Sequence, residues 1–307
     1  MCRALLYLGE PVLLDSLLYQ PDSALVKQST MPKMLHLLNL AGFGLRAWDR
    51  DSHDPRLPFA YASESIAVFD RNLKSLAAKV VASCVLAHVR GVPYNNKVEI
   101  SAQNAHPFQF PGVALALAHN GDLWRFAEMK PLLVPHLKPE FFMRIRGTTD
   151  SEWIYALLVS RLRDPYSRPS GEELLEAVAG TLAVLREVRR ALGIAVTSPV
   201  NLFIADGTQI VAVRYCFDFG CYPADDPAEV ITAYFNYYTL WYTLGRDYRL
   251  HEGEWRMVGG AENAASLIAA SEPLTSDTAS WVEVPEYSAL HAELREARPQ
   301  IRIRALD

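Results

Sequence analysis

The order of strand and helix candidates along the chain limits its fold more than any other feature of the sequence. Apolar residues at alternating or continuous spacing predict strands, and apolar residues at helical spacing predict helices. The strand candidates are residues 3–8, 42–48, 84–90, 113–118, 200–205, 209–215, 265–271, 281–284 and 287–292, and the helix candidates are 12–19, 66–82, about 149–163 and 171–192. Strands on both sides of two long helices predict sheets sandwiched between helical layers, not a doubly wound parallel sheet.

Composition and charge exclude several classes of protein. The 307 residues include 30 Lys and Arg against 35 Asp and Glu, and this net charge of −5 gives no electrostatic footprint for nucleic acid or an anionic membrane. No apolar run approaches the ~20 residues of a membrane span. The apolar stretch at the start is too short for a signal peptide. We therefore expect a cytoplasmic protein that binds neither nucleic acid nor membrane.

The low number of cysteines, four, is also consistent with the cytoplasm. Cys216 and Cys221 stand close together, with no His pair or second cysteine pair to complete a zinc site. We expect Cys84, Cys216 and Cys221 to be reduced structural thiols, and we expect neither a metal nor a cofactor.

Cys2 directly follows Met1 and has the greatest chemical interest of the four. Removal of Met1 would leave a thiol and a free α-amine on one residue. An α-amine titrates close enough to neutral pH to take the proton of a neighbouring thiol, which makes a nucleophile with its own general base. The alternative is a small apolar residue that opens a buried strand.

Six motifs occur in the order that is found in one family of enzymes. They are Met1-Cys2-Arg3, Asn-Leu-Ala-Gly-Phe-Gly at 39–44, His-Val-Arg at 88–90, Asn-Ala-His-Pro-Phe at 104–108, Ala-His-Asn-Gly at 118–121 and Thr-Asp-Ser-Glu at 149–152. Together they resemble the class II (N-terminal cysteine) glutamine amidotransferase domain of the Ntn-hydrolase superfamily. Asn201-Leu202 to Asp206-Gly207 and Ala-Ser-Glu-Pro-Leu at 270–274 resemble its subgroup of stand-alone γ-glutamyl amidohydrolases and glutathione-degradation amidotransferases.

This resemblance spans residues 2 to about 295 and implies both a fold and a reaction. The fold is α+β, a four-layer αββα Ntn-hydrolase sandwich with two packed, mainly antiparallel sheets, in a single class II glutamine amidotransferase-like domain over residues 2–307. In the implied reaction, Cys2 attacks the γ-amide of glutamine or of a γ-glutamyl compound. A γ-glutamyl thioester forms, the amine leaves, and water then hydrolyses the thioester, while the Cys2 α-amine moves the proton.

The resemblance also assigns the groups that stabilise the oxyanion. They are the Asn120 side chain and the Gly121 backbone N–H, since a developing negative charge needs preorganised donors. Taken as residues alone, Asn120-Gly121 equally fits a type I′ hairpin turn after a strand.

Arg90 and Asp150 are the substrate-binding residues that the resemblance implies. Arg90 would bind the α-carboxylate bidentately, and Asp150 would bind the α-ammonium. Otherwise Arg90 could form a surface ion pair, and Asp150 could be a first-turn acid behind a Thr149–Glu152 capping box. The resemblance places His106 and His119 beside the site. Each could equally be a structural histidine, and we assign neither a proton-transfer role.

Two segments depart from the family pattern. Ala41 stands where the subgroup usually has Asp, and Gly91–Tyr94 replaces a small residue followed by Ala-Thr or Ala-Ser. The loop beside the glutamine pocket is therefore unusual, which leaves the identity of the substrate open. The aromatic segment 233–243 could line a pocket or a subunit contact, but packing in the core or an interface is the default explanation.

Three functions are compatible with these residues. The first is a hydrolase of γ-glutamyl amides that works alone on a small-molecule substrate, which we favour because the resemblance covers nearly the whole chain. The second is a glutaminase subunit that delivers ammonia to a separate partner protein. The third is a non-catalytic binding or regulatory protein on the same fold, for which intact Cys2, Arg90, Asn120, Gly121 and Asp150 would have no use.

Overall fold

Two antiparallel sheets lie face to face at the centre of the computed structural model, which describes residues 2–34, 38–92, 98–222, 238–296 and 298–306. In order across the first sheet, the strands are β13 (Val282–Glu283), β9 (Trp241–Gly245), β12 (Ser266–Ala270), β1 (Arg3–Leu13), β4 (Val81–Val89), β2 (Phe43–Trp48) and β3 (Phe59–Ser63). Each neighbouring pair in this sheet is antiparallel.

The second sheet is antiparallel as well. In order across it, the strands are β15 (Arg298–Ala305), β14 (Ser288–Arg295), β7 (Gln209–Arg214), β6 (Ser198–Ala205) and β5 (Ala116–Gly121), and β8 (Cys216–Phe217) also pairs with β6. A separate hairpin consists of β10 (Asp247–His251) and β11 (Glu254–Val258).

The helices lie outside the two sheets. They are α1 (Leu14–Leu18), α2 (Arg71–Ala77), α3 (Phe126–Leu133), α4 (Pro139–Phe142), α5 (Asp150–Arg161) and α6 (Gly171–Ala191). Short 3-10 turns occur at Lys27–Ser29, Ala67–Phe69, Ala102–Asn104, Val134–His136 and Ala261–Asn263. None of the helices in the described ranges combines the length and the apolar character needed to cross a membrane.

Three hydrophobic cores separate the layers. Leu5 and Tyr7 of β1 pack towards α1 and α2, whereas Leu6 and Leu8 pack against the second sheet, because successive side chains of a strand point to opposite faces. A third core joins α5 and α6 to the outer face of the second sheet. Full burial of a large apolar side chain contributes about 1.5–3 kcal/mol. The order of layers is helix, sheet, sheet, helix, which confirms the predicted αββα sandwich.

The two long helices begin where the sequence predicts. Thr149 caps α5 by accepting a hydrogen bond from the Glu152 N–H (3.3 Å), and Ser170 caps α6 by accepting one from the Glu173 N–H (3.2 Å). Acidic residues follow in the first turn of both helices and basic residues occupy the last turns, which complements the helix dipole.

Several sequence predictions were wrong in extent. The helix predicted over 66–82 forms as α2 alone, because Asp70 caps it by accepting the Asn72 and Leu73 N–H groups and β4 already begins at Val81. The helix predicted over 12–19 is shortened to α1, since β1 continues to Leu13. The strand predicted over 113–118 is displaced to β5, which pairs with β6 as far as Gly121.

Six strands of the described ranges were not predicted at all. They are β3, β8, β9, β10, β11 and β15, and all of them except the buried two-residue β8 expose part of their length. Polar and apolar side chains do alternate in β10, β11 and β15, which is the pattern of a half-buried strand, and the sequence predictions overlooked it. β3 and β9 lack this alternation. The first residues of the aromatic segment, 233–237, lie outside the described residues, and its last three residues belong to β9.

Candidate active site

Cys2 lies immediately before β1, the middle strand of the first sheet. Only 8% of the surface of Cys2 is exposed to solvent. The Gly91 N–H donates to Cys2 Sγ at 3.4 Å, and the thiol lies 3.5 Å from the Gly91 carbonyl oxygen. Met1 lies outside the described residues. The thiol is therefore held beside the segment that follows β4.

Arg90 directly follows β4 and is buried. Its backbone pairs with the segment before β2, because the Arg90 N–H donates to the Gly42 carbonyl and the Ala41 N–H donates to the Arg90 carbonyl, both at 2.9 Å. Arg90 Nη1 donates to the Glu99 carbonyl at 3.1 Å. The alternative of a surface ion pair is wrong for this buried side chain. Pro93 and Tyr94 of the unusual loop lie outside the described residues.

Asn120 and Gly121 belong to β5, opposite Asn201 and Val200 of β6, so the hairpin-turn interpretation is wrong. Asn120 Nδ2 lies 3.4 Å from Ser271 Oγ. A Cβ atom at position 121 would lie 1.9 Å from the Pro199 carbonyl oxygen. Glycine is therefore required at position 121 by the close approach of the neighbouring strand.

Asp150 is the first residue of α5, and its carboxylate accepts a hydrogen bond from the segment that follows β5. Asp150 Oδ2 accepts the Leu123 N–H at 2.8 Å, and Oδ1 accepts the Ser151 hydroxyl at 3.1 Å. Half of the capping box forms, because the Glu152 carboxylate accepts the Arg146 and Gly147 N–H groups at 3.0 and 2.7 Å instead of reaching Thr149.

A second carboxylate, Asp122, stands next to Asp150, and the sequence analysis missed it. Burial raises the pKa of Asp150 even though its hydrogen bonds oppose the shift. Desolvation and the Asp150 charge raise the pKa of Asp122 to about 6. The Asp122 side chain is exposed, so the repulsion between the two carboxylates is the firmer cause. The one signal in the sequence was an acid directly after the Asn-Gly pair.

Three buried histidines lie near Arg90 or Asp150. The His88 and His106 ring centroids are 4.2 Å apart, and His119 Nδ1 lies 2.9 Å from Ser151 Oγ and 3.9 Å from Asp150 Oδ1. Burial lowers the pKa of His88 to about 3 and that of His119 to about 4, and it lowers the pKa of His106 well below its usual range. All three imidazoles are therefore neutral near pH 7. His88 was not predicted as a site residue.

The Ser271–Glu272 pair joins these parts to the strand that bears Cys2. The Ala4 N–H donates to Ser271 Oγ at 3.0 Å, and the Ser271 N–H donates to the Ala4 carbonyl at 2.9 Å. Arg3 Nε donates to Glu272 Oε2 at 3.2 Å. The structure thus connects Cys2 to Arg90 through Gly91, and β1 to Asn120 through Ser271.

In the part of the chain that the structure describes, no group of three or more His, Cys, Asp or Glu side chains is arranged to hold a metal ion. Cys84 and Cys216 are buried free thiols, and Cys221 is an exposed one. Burial raises the pKa of Cys84 and Cys216, which keeps both thiols protonated.

Comparison with known proteins finds a matching family and a similar yeast protein. The family model described as class-II glutamine amidotransferases matches residues 61–222, more than half of the chain. The probable glutamine amidotransferase DUG3 of Saccharomyces cerevisiae is 28% identical over 309 residues, which cover 94% of this chain and 81% of the yeast protein.

Solved structures with low sequence identity share the fold. A glutamine aminotransferase class-II domain protein from Silicibacter pomeroyi has a TM-score of 0.61 at 19% identity, with both chains covered completely. Glutamine phosphoribosylpyrophosphate amidotransferase from B. subtilis has a TM-score of 0.56 at 14% identity. The superposition includes all of this chain and 49% of the B. subtilis chain. These similarities agree with the four layers described above.

Proposed function

The chain belongs to the class II glutamine amidotransferases, and on that premise we propose that it hydrolyses a γ-glutamyl amide without a partner, using Cys2 as the nucleophile. One observation carries the proposal. The buried Cys2 thiol contacts Gly91, next to Arg90, and its strand is connected through Ser271 to Asn120. A nucleophile, an oxyanion donor and a cation for the substrate carboxylate are thereby linked.

The reaction begins with attack of Cys2 Sγ on the γ-carbonyl carbon. The α-amine of Cys2 takes the thiol proton and gives it to the leaving nitrogen, so ammonia or an amine departs as the C–N bond breaks. A γ-glutamyl thioester remains on Cys2. Water then adds to the thioester carbonyl, the C–S bond breaks, and glutamate leaves with the thiol restored.

Asn120 and Gly121 stabilise the charge that develops in both steps. The tetrahedral oxygen gains a full negative charge, and donors that are already fixed in place cost no reorganisation when the charge appears. Gly121 lies in β5 with the Pro199 carbonyl close behind it, so its backbone has little freedom to move.

Arg90 and Asp150 recognise the amino-acid end of the substrate. The guanidinium binds the α-carboxylate, and the Asp150 carboxylate, with Asp122 beside it, binds the α-ammonium. The three nearby histidines, whose pKa values are lowered by burial, are neutral and do not compete for either charge. We extend the proposal to a single domain over residues 2–307, which the full mutual coverage with the Silicibacter pomeroyi protein supports.

The test is turnover by the purified protein alone. We would measure ammonia release from glutamine, and glutamate release from a panel of γ-glutamyl amides and peptides, with Cys2→Ser as the background. The proposal expects steady turnover of at least one substrate well above that background. Turnover that appears after addition of a co-purifying protein, and not before, would instead identify a glutaminase subunit that delivers ammonia.

A further inference from the structure

Two buried polar residues directly after β12, Ser271 and Glu272, have no role in the reaction described above. Both belong to the late motif Ala-Ser-Glu-Pro-Leu at 270–274, and both are almost completely removed from solvent. Buried polar groups are costly unless they are hydrogen-bonded. Their contacts therefore indicate what they hold in place.

The Glu272 carboxylate holds the chain around Cys2. It accepts Arg3 Nε at 3.2 Å, and the same guanidinium donates through Nη1 to the Cys2 carbonyl at 3.3 Å. It also accepts the Lys33 and Met34 N–H groups at 3.0 and 3.2 Å. Removal of one partner from a buried ion pair leaves the other charge uncompensated. The carbonyl of the nucleophilic residue is thus fixed through Arg3.

The Ser271 hydroxyl contacts the oxyanion donor. Since its oxygen accepts the Ala4 N–H at 3.0 Å, its own hydrogen is available to donate. The Asn120 carboxamide is the neighbour at 3.4 Å, and Asn120 Oδ1 has no hydrogen-bond partner among the described residues. A half-turn of the carboxamide exchanges its nitrogen and oxygen with little change in shape. Oδ1 would then accept the Ser271 hydroxyl, and both Nδ2 hydrogens would point elsewhere.

We propose that Ser271 and Glu272 are positioning residues for the two catalytic groups: Glu272 sets Cys2 through Arg3, and Ser271 turns the Asn120 amide nitrogen towards the oxyanion. This inference rests on the proposed function, since it gives Cys2 and Asn120 their catalytic roles. Because two adjacent residues directly after β12 make both contacts, the nucleophile and the oxyanion donor are fixed relative to each other.

A double-mutant cycle tests the Ser271 contact. Ser271→Ala is expected to lower kcat about tenfold, less than complete loss of an oxyanion donor, with KM changed less than about threefold. In an Asn120→Ala background the same substitution should have no further effect, because Ser271 acts through Asn120. Equal losses in both backgrounds would show a general structural role and would overturn this part of the proposal.

A glutamine-like chloroketone tests the Glu272 contact. The Cys2 thiolate displaces chloride from this reagent, and mass spectrometry of the Cys2 peptide gives the labelling rate, with the exposed Cys221 as internal reference. Glu272→Gln should lower the saturating labelling rate of Cys2 about tenfold, with half-saturation and Cys221 labelling unchanged. An unchanged rate at Cys2 would overturn this part.

Asp218→Asn is the matched control, since Asp218 also pairs with a buried arginine, Arg189, at 2.8 Å but contacts neither catalytic group. It should change thermal stability without changing the Cys2 labelling rate; a similar loss of labelling would contradict the proposal. If Glu272→Gln does not fold, Arg3→Lys tests the same contact, because lysine keeps the charge beside Glu272 but cannot donate to Glu272 and the Cys2 carbonyl in the way the guanidinium does; an unchanged Cys2 labelling rate in that variant would overturn this part. An inactive, unlabelled wild-type protein would refute the proposed function itself, whereas an active wild type with unaffected variants would refute the positioning role alone.

Discussion

The strands that present the two catalytic groups differ in how they are held. β1 lies in the middle of the first sheet, where Leu5–Leu8 pair with β12 on one side and Arg3–Leu8 pair with β4 on the other. β5 lies at the edge of the second sheet, with β6 on one side and a single bridge between Phe108 and Leu117 on the other.

Backbone hydrogen bonds and side-chain contacts therefore contribute differently to the position of Cys2 and to that of Asn120. Cys2 is carried by a strand whose hydrogen bonds are satisfied on both edges, so its own side chain contributes little to stability. Asn120 is carried by an edge strand, where side-chain contacts have to supply orientation. We therefore expect substitutions at Cys2 to lower activity without changing stability. Around Asn120, we expect some substitutions to lower activity and others to lower stability.

The largest expected effect is at Cys2. Cys2→Ser should lower kcat by more than about 10⁴-fold, as loss of a nucleophile does in other hydrolases, while the thermal midpoint stays close to that of the wild type. Cys221→Ser, at an exposed thiol, is the control and should leave both unchanged. Residual activity in Cys2→Ser within tenfold of the wild type would show that another group attacks the substrate.

The next effect compares two asparagines that face each other across β5 and β6. Asn120→Ala should lower kcat by about 10²–10³-fold, the usual loss for an oxyanion donor. Asn201 donates to the Tyr238 carbonyl at 2.8 Å and accepts the Tyr215 N–H at 3.2 Å. Asn201→Ala should therefore cost about 1–3 kcal/mol of unfolding free energy with a smaller loss of kcat.

Kinetics and urea unfolding of both variants provide the measurement. If Asn120→Ala unfolds the protein and has no specific effect on turnover of the remaining folded fraction, Asn120 is a structural residue of the edge strand.

A smaller effect is expected at the buried Arg90. Hydrogen bonds to a charged group are worth about 1.5–3 kcal/mol, so Arg90→Ala should lower kcat/KM for glutamine by about 10- to 100-fold. A substrate that lacks the α-carboxylate should be insensitive to the change. Equal losses with both substrates would mean that Arg90 supports the geometry of the site instead of binding the carboxylate.

The smallest effect is a pH dependence of substrate binding. Desolvation and the neighbouring Asp150 raise the pKa of Asp122 to about 6, so the carboxylate pair takes up a proton as the pH falls from 7 to 5. Attraction for the α-ammonium then weakens, and KM for glutamine should rise about threefold, on the order of one weak ionic contact. In Asp122→Asn the rise should shift to lower pH, since Asp150 loses its neighbouring charge.

The raised pKa of Asp122 also makes the free energy of unfolding depend on pH. A carboxyl group with a folded-state pKa above its unfolded value binds its proton more tightly when folded, so it favours unfolding near pH 7. This destabilisation is relieved as the pH falls through about 6 towards the unfolded value near 4. Asp122→Asn should therefore raise the unfolding free energy at pH 7 more than at pH 5. An identical KM profile in the two proteins would exclude Asp122 from the binding site.

The sequence predicted the fold where apolar periodicity was strong. Helices α5 and α6 carry capping residues and long apolar faces, and the buried strands β4, β6 and β7 are nearly continuous apolar runs. The hairpin of β10 and β11 was missed although apolar and polar side chains alternate in both of its strands, the pattern that indicates half-buried strands.

The site residues could be named in advance because they occur in ordered motifs, not because their spacing shows chemistry. Asn120 lies within a strand where local sequence equally predicts a turn, since strand pairing with β6 is a long-range effect. The contacts of Ser271 and Glu272 join residues more than 150 positions apart in sequence, with Asn120 and Arg3, and no local pattern encodes them. Asp122 was missed because its proximity to Asp150 depends on how α5 docks against β5.

The most direct test of the central claim is capture of the covalent intermediate. Wild-type protein would be mixed with glutamine or its best γ-glutamyl substrate, quenched in acid within the first turnover, and analysed by intact-mass and peptide mass spectrometry. The account predicts that active protein lacks Met1 and carries a γ-glutamyl adduct on Cys2, absent from Cys2→Ser. Active protein that retains Met1, or that turns over substrate with no adduct on Cys2 at any quench time, would contradict it.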